Sequence, residues 1–275
     1  MSYATLMVNL APGRQNEGLL KVTAELAERF KAGVVGIAVR QPLQMVYGDG
    51  YMAGDVYQQD RDDTAKELKA TEAQFRAALQ GRAAFVEWRS AEVFAYLAEY
   101  LAVEARCADL LLTTAHTGDL FDASRAVNTG ELILQTGRPV LIVPVGATTL
   151  ALDHVLIGWK DTREARRAAS DALPLLKRAA RVSVAALAAK DGLAAAGRQV
   201  LDVVAWLRHH GVNAAGSAQL STGDDATALY AIGQDSGIDV FVAGAYGHSR
   251  VREWVLGGVT RDLLLSASRC SLVSH

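Results

Sequence analysis

Ile238-Asp239-Val240-Phe241-Val242-Ala243-Gly244-Ala245-Tyr246-Gly247 is a short apolar run that ends in two spaced glycines. After nine further residues the chain reads Gly257-Gly258-Val259-Thr260 and enters an apolar-periodic segment. The run is short and continuously apolar, as a strand buried on both faces would be. A strand that ends in a glycine-rich loop and feeds a helix start gathers unpaired backbone N–H groups, which suits phosphate. The same glycines also suit a tight connection that holds no ligand, so both readings stand.

Working outward, the same pattern occurs once before. Ala108-Asp109-Leu110-Leu111-Leu112 matches Ile238-Asp239-Val240-Phe241-Val242, and Thr129-Gly130-Glu131-Leu132-Ile133-Leu134 matches Thr260-Arg261-Asp262-Leu263-Leu264-Leu265. The first copy predicts strands at 5–10, 34–39, 83–88, 109–114 and 140–143, with helices at 17–30, 62–80, 91–107 and from Gly130. Residues 41–59, with Tyr47, Tyr51, Met52 and Tyr57, form an excursion that is either a binding surface or a cover over the core. The second copy predicts strands at 154–159, 182–187, 212–218, 239–243 and 271–274. Its helices fall at 162–180, 198–210, 226–234 and beyond 260; Thr162 caps the first and Pro174 breaks it. Apolar strands separated by helix-length segments favour parallel sheets covered on both faces. The predicted fold class is therefore α/β, two tandem open parallel-sheet sandwiches with domains at 1–149 and 150–275. Ligand crevices are expected beyond the C-terminal strand ends.

Composition narrows the partners. A length of 275 residues at 51% apolar content accommodates two ordinary cores. The net charge of -2, from 28 basic and 30 acidic residues without long blocks, gives no electrostatic case for nucleic acid or an anionic membrane. No apolar stretch is long enough to span a bilayer. Two cysteines and no apolar leader fit a cytoplasmic setting, with Cys107 and Cys270 both expected to be buried small side chains. The six histidines have no metal-ligand spacing, and His209-His210 reads as a solvated helix end. Neither a proton relay nor a nucleophile elbow is present in the pattern, so efficient catalysis is not expected.

Through these residues the chain resembles the universal stress protein family in its tandem form. Gly244-x-x-Gly247, nine residues, then Gly257 looks like that family's nucleotide motif, usually completed by Ser or Thr. Here Gly258 stands at the completing position, and Thr260 falls at a second hydroxyl position. The resemblance implies sandwiches of the adenine-nucleotide alpha-hydrolase-like type with five parallel strands per half. It also implies that the closing strands, 140–143 and 272–274, make contacts between domains as an internal pseudo-dimer or between copies in a homodimer. For function it implies an adenine nucleotide, ATP with Mg²⁺, bound in the second half by a stress-response sensor or regulator. The alternatives are an adaptor or small-ligand carrier without nucleotide, and a slow ATP hydrolase.

The candidate binding residues follow from that match. Ala243, Gly244, Gly247, Gly257, Gly258, Val259 and Thr260 form the loop, His248 and Arg250 bring positive charge to it, and Leu187 lies near the base. Trp159 and Lys160 stand at the opening strand end, where nucleotide-binding members carry an aspartate. Lys160 cannot accept hydrogen bonds from ribose. In the first half Thr114-Ala115-His116-Thr117 replaces the glycine loop and Ala11 the acidic position. An equivalent nucleotide site is not expected there, while a different small ligand stays open.

Overall fold

A strand has unpaired N–H and C=O groups on both edges, and among the described residues ten strands satisfy one another in a single sheet. The computed structural model describes residues 2–42, 54–115, 127–223, 225–245 and 269–275, with backbone alone at 54–57 and 226. The first run comprises β1 (Thr5–Asn9), α1 (Glu17–Phe30), β2 (Gly33–Arg40), α2 (Gly54–Leu79), β3 (Val86–Glu92), α3 (Leu97–Glu104), a 3-10 turn (Ala105–Cys107), β4 (Leu110–Thr114), α4 (Thr129–Thr136) and β5 (Val140–Val143). The second comprises β6 (His154–Trp159), α5 (Arg163–Asp171), α6 (Leu173–Leu176), β7 (Arg181–Ala188), α7 (Leu193–His209), β8 (Ala214–Leu220), α8 (Asp225–Ser236), β9 (Val240–Gly244) and β10 (Cys270–Ser274).

The sheet order is β3-β2-β1-β4-β5-β10-β9-β6-β7-β8. Pairing is parallel inside each run and antiparallel where β5 meets β10, with Leu141 opposite Leu272. The expected contact between the closing strands is thus a strand pairing, and it joins the two parallel sets into one mixed sheet. Every residue of β5 and β10 is buried, and an apolar edge of that kind is hidden by pairing with its counterpart. One face of the sheet has a core continuous across both runs, joining Leu6, Leu26 and Leu112 to Val155, Val182 and Leu207. The opposite face has separate clusters, one around Met7, Ile37 and Leu132 and one around Leu156, Leu229 and Phe241. Tyr3 ties the runs together: its hydroxyl donates to the Asp171 carbonyl at 2.7 Å and its ring meets Phe30 edge-on at 5.1 Å.

Several boundaries move for physical reasons. α2 starts at Gly54 rather than 62, where Gln58–Asp62 and Gln59–Asp63 side-chain bonds support a polar first stretch without apolar periodicity. β3 runs to Glu92 and α3 begins only at Leu97, because β2 pairs with β3 as far as Arg40 opposite Glu92. β8 begins at Ala214 and α7 already at Leu193. The break near Pro174 occurs as expected, with Ala172 between α5 and α6. Cys107 is exposed, contrary to expectation, because the 3-10 turn takes it off the end of α3; Cys270 is buried, and burial pushes its thiol up to about 12.

The repeated aspartate of the opening motif has a mechanical role. Asp109 Oδ2 accepts from the N–H groups of Ala4 at 2.7 Å and Thr5 at 2.9 Å, while Asp239 Oδ2 accepts from the His154 N–H at 2.8 Å. Each aspartate N–H donates back, to Thr5 and His154 carbonyls at 2.9 Å. The two side chains therefore pin the entrance of the fourth strand of a run to the first. Asp109→Ala should lower stability by about 2 kcal/mol, a typical value for hydrogen bonds to a charged group, read as a shift in urea midpoint at unchanged m-value.

Candidate functional site

Strand order reverses between β1 and β4 in the first run and between β6 and β9 in the second, and the C-terminal ends of each pair are where such sheets place a ligand crevice. In the second run Gly158 lies opposite Ala243, bringing the end of β6 beside Gly244. A Cβ on Gly244 would lie 2.8 Å from the Glu164 carbonyl oxygen, and nearer still to the Glu164 carbonyl carbon and the Ala165 nitrogen. The first turn of α5 rests directly on this glycine, so packing alone demands it.

Trp159 is buried in the shared core, and its indole N–H has no partner among the described residues. Lys160 is exposed just beyond the strand, Ala243 is buried in the second-run cluster, and Leu187 is half-buried against that cluster. Gly247, His248, Arg250, Gly257, Gly258, Val259 and Thr260 lie outside the described residues, as do Tyr47, Tyr51 and Met52 of the excursion.

The start of α5 is internally satisfied. Thr162 Oγ1 accepts from the Ala165 N–H at 3.3 Å, the cap expected from the sequence. Burial pushes the Glu164 carboxyl up, but hydrogen bonds from the Arg163 guanidinium, its own N–H and the Thr162 hydroxyl outweigh burial and hold it below the usual carboxylate range. A folded-state value below the unfolded one gives stability that is fully present above the ordinary carboxylate range and lost as pH falls through the folded value. Glu164→Gln should therefore shrink the acid-induced loss of stability, seen by comparing urea midpoints at neutral and acidic pH for both proteins.

The first run is built differently at the same point. Residues 10–16 connect β1 to α1, whereas only residues 160–162 connect β6 to α5. Gly13 in that longer loop has φ +72°, which permits the turn after Pro12. Asn16 closes the loop: its Oδ1 accepts from the Ala11 N–H at 3.1 Å and its Nδ2 donates to the Ala11 carbonyl at 2.9 Å. Thr114 holds the position matching Gly244, each five residues after its aspartate, Asp109 or Asp239.

With the helix set back, a cavity of about 350 Å³ lies at the ends of β1, β2 and β4, lined by Asn9, Ala11, Val39, Thr113, Thr114 and Val127 among others. Asn9 Nδ2 donates to Thr113 Oγ1 at 3.2 Å across its floor. At the rim Arg40 is buried and paired with Asp60 at 3.0 Å and Glu67 at 2.9 Å, fastening α2 to the end of β2. A wider groove of about 930 Å³ continues along the start of α1 and residues 145–148, sharing Arg14, Gln15 and Val145 with the cavity. Sequence reasoning placed Ala11 and Thr114 at this point but not the cavity; the Pro12-Gly13 turn that delays α1 was its signal.

Among the described residues no group of His, Cys, Asp and Glu could hold a metal ion, and no helix is long and apolar enough to cross a membrane. No family model matches the chain, and no curated protein matches it. Solved structures share its fold. A universal stress protein from Archaeoglobus fulgidus DSM 4304 superposes with a TM-score of 0.74 at 12% identity, covering 99% of this chain and 96% of that one. A functionally unknown protein from Pseudomonas aeruginosa PAO1 superposes with a TM-score of 0.61 at 14% identity, covering 99% and 92%. The chain thus has the universal stress protein fold, α/β with a central mixed sheet. At these identities the likeness is one of fold.

Proposed function

We propose that the chain is a tandem member of the universal stress protein family, with domains 1–149 and 150–275, that binds an adenine nucleotide in its second half and acts as a cytoplasmic sensor or regulator. ATP with Mg²⁺ is the proposed ligand, held by the loop from Gly244 through Thr260. The observation that carries this reading is the position of Gly244: β9 ends at the β6/β9 switch point, and the Gly244-x-x-Gly247, nine-residue, Gly257 spacing continues from it. The unpartnered Trp159 indole N–H adds support, since a ligand oxygen would satisfy a donor that is otherwise expensive to bury. Lys160, exposed at the strand end, offers a charge to phosphate in place of a ribose acceptor. Binding rather than turnover is proposed, because a phosphate loop supplies neither a general base nor transition-state selectivity.

The test is equilibrium titration of the full chain with Mg-ATP, repeated with Gly247→Val. Binding weakened at least about tenfold by the substitution is expected, a loss of roughly 1.4 kcal/mol or more. Undetectable binding by the starting protein at millimolar ATP would sink the reading, and binding indifferent to Gly247→Val would move the site elsewhere.

A further inference from the structure

The late start of α1 leaves open in the first run the space that the first turn of α5 fills in the second. We propose that this first-run cavity is a binding site for a compact, uncharged molecule that joins an apolar ring to an amide, hydroxyl or carbonyl group. The proposal goes beyond the nucleotide reading of the second half and does not rest on it.

The lining has the two halves such a ligand needs. Ala11, Val39, Ala115 and Val127 form an apolar wall, and about 350 Å³ is within the usual range for small-molecule sites. Facing solvent and cavity are groups with hydrogen-bonding capacity to spare. The Thr114 hydroxyl, the Gln15 amide and Asn9 Oδ1 have no partner among the described residues, while the Asn9 Nδ2 bond to Thr113 fixes the amide in place.

The same lining is unsuited to a nucleotide's phosphates. Ala11 has both its N–H and its carbonyl taken by Asn16, so the loop does not present that N–H to an anion. Thr114 puts a side chain where close backbone approach would need glycine. Arg14 is the one formally charged residue among the described lining residues, and Glu67, which approaches Gly13, is matched by Arg40. Several phosphate charges brought into this setting would stay uncompensated.

Benzamide and nicotinamide are the neutral probes, titrated against the full chain by saturation-transfer NMR, with benzoate and AMP as charged comparisons. Both neutral probes should bind with Kd below about 1 mM, and benzoate and AMP should compete at least about tenfold more weakly. Ala11→Leu, which fills the cavity, should weaken the neutral probes at least about tenfold. Thr114→Val, which keeps the volume and removes the hydroxyl, should weaken them roughly threefold to tenfold. Gly247→Val should leave probe binding unchanged, which separates this site from the nucleotide reading. The proposal is overturned if neither neutral probe binds the starting protein at about 10 mM, if Thr114→Val leaves binding intact, or if benzoate or AMP displaces benzamide at lower concentration than nicotinamide does. Should Ala11→Leu fail to fold, Thr114→Val alone decides.

Discussion

Gly244→Ala is expected to destabilise the protein by about 3 kcal/mol, at the upper end of the usual range for overpacking. The added Cβ would run into the Glu164 carbonyl carbon and oxygen and the Ala165 nitrogen, which are backbone atoms and cannot rotate away. Relief requires α5 to lift from the end of β9, pulling Ala165 and Ala168 out of the shared core. For a chain of this size the melting temperature should fall by roughly 10 °C. Gly146→Ala is the matched control, since a Cβ there meets nothing within 4 Å, and it should melt with the starting protein. Equal melting temperatures for all three proteins would refute the close packing of α5 on β9.

Leu272 carries a second large effect. It is fully buried at the centre of β10, opposite Leu141 on one side and Val242 on the other. Leu272→Ala should lose about 3 kcal/mol through transfer and cavity terms. Leu272→Asp adds an unpaired buried carboxylate and should lose about 5 kcal/mol or more, a large share of typical domain stability. Because the residue sits at the antiparallel seam between the runs, damage should reach both. Hydrogen exchange in the Leu272→Ala protein should speed up in β4 and β9 together, and acceleration confined to β9 would argue that the runs unfold independently.

The central strands were legible because burial on both faces writes continuous apolar runs, and Asp109 and Asp239, matched in sequence, each bind the backbone at the start of the first strand of their run. What the runs could not write was the partner of Val140–Val143. Prolines at 139 and 144 say that a short strand lies between them; its contact with 272–274 came from the family resemblance, and the antiparallel register only from the structure. At 91–107 helical periodicity was real but Ala91 and Glu92 were claimed by β2, tertiary pairing prevailing over local pattern. At the site, Gly244 shows why a glycine is hard to read: a helix backbone at contact distance demands it as firmly as a phosphate would. The first-run cavity was missed because a four-residue delay in a helix start registers in sequence only as a longer loop.

The antiparallel seam also decides what the two runs can be to each other. Since all strands of one run point opposite to those of the other, the two switch points lie at opposite ends of the sheet, one strand length apart along the strands and four strand spacings apart across them, roughly 25 Å in all. No single small molecule can bridge them. Two identical chains joined at such a seam would necessarily have two identical ends, whereas a single chain allows each end to be written separately. That freedom is visible here as a seven-residue loop with an open cavity at one end, residues 10–16, and a three-residue loop with a helix packed onto glycine at the other, residues 160–162.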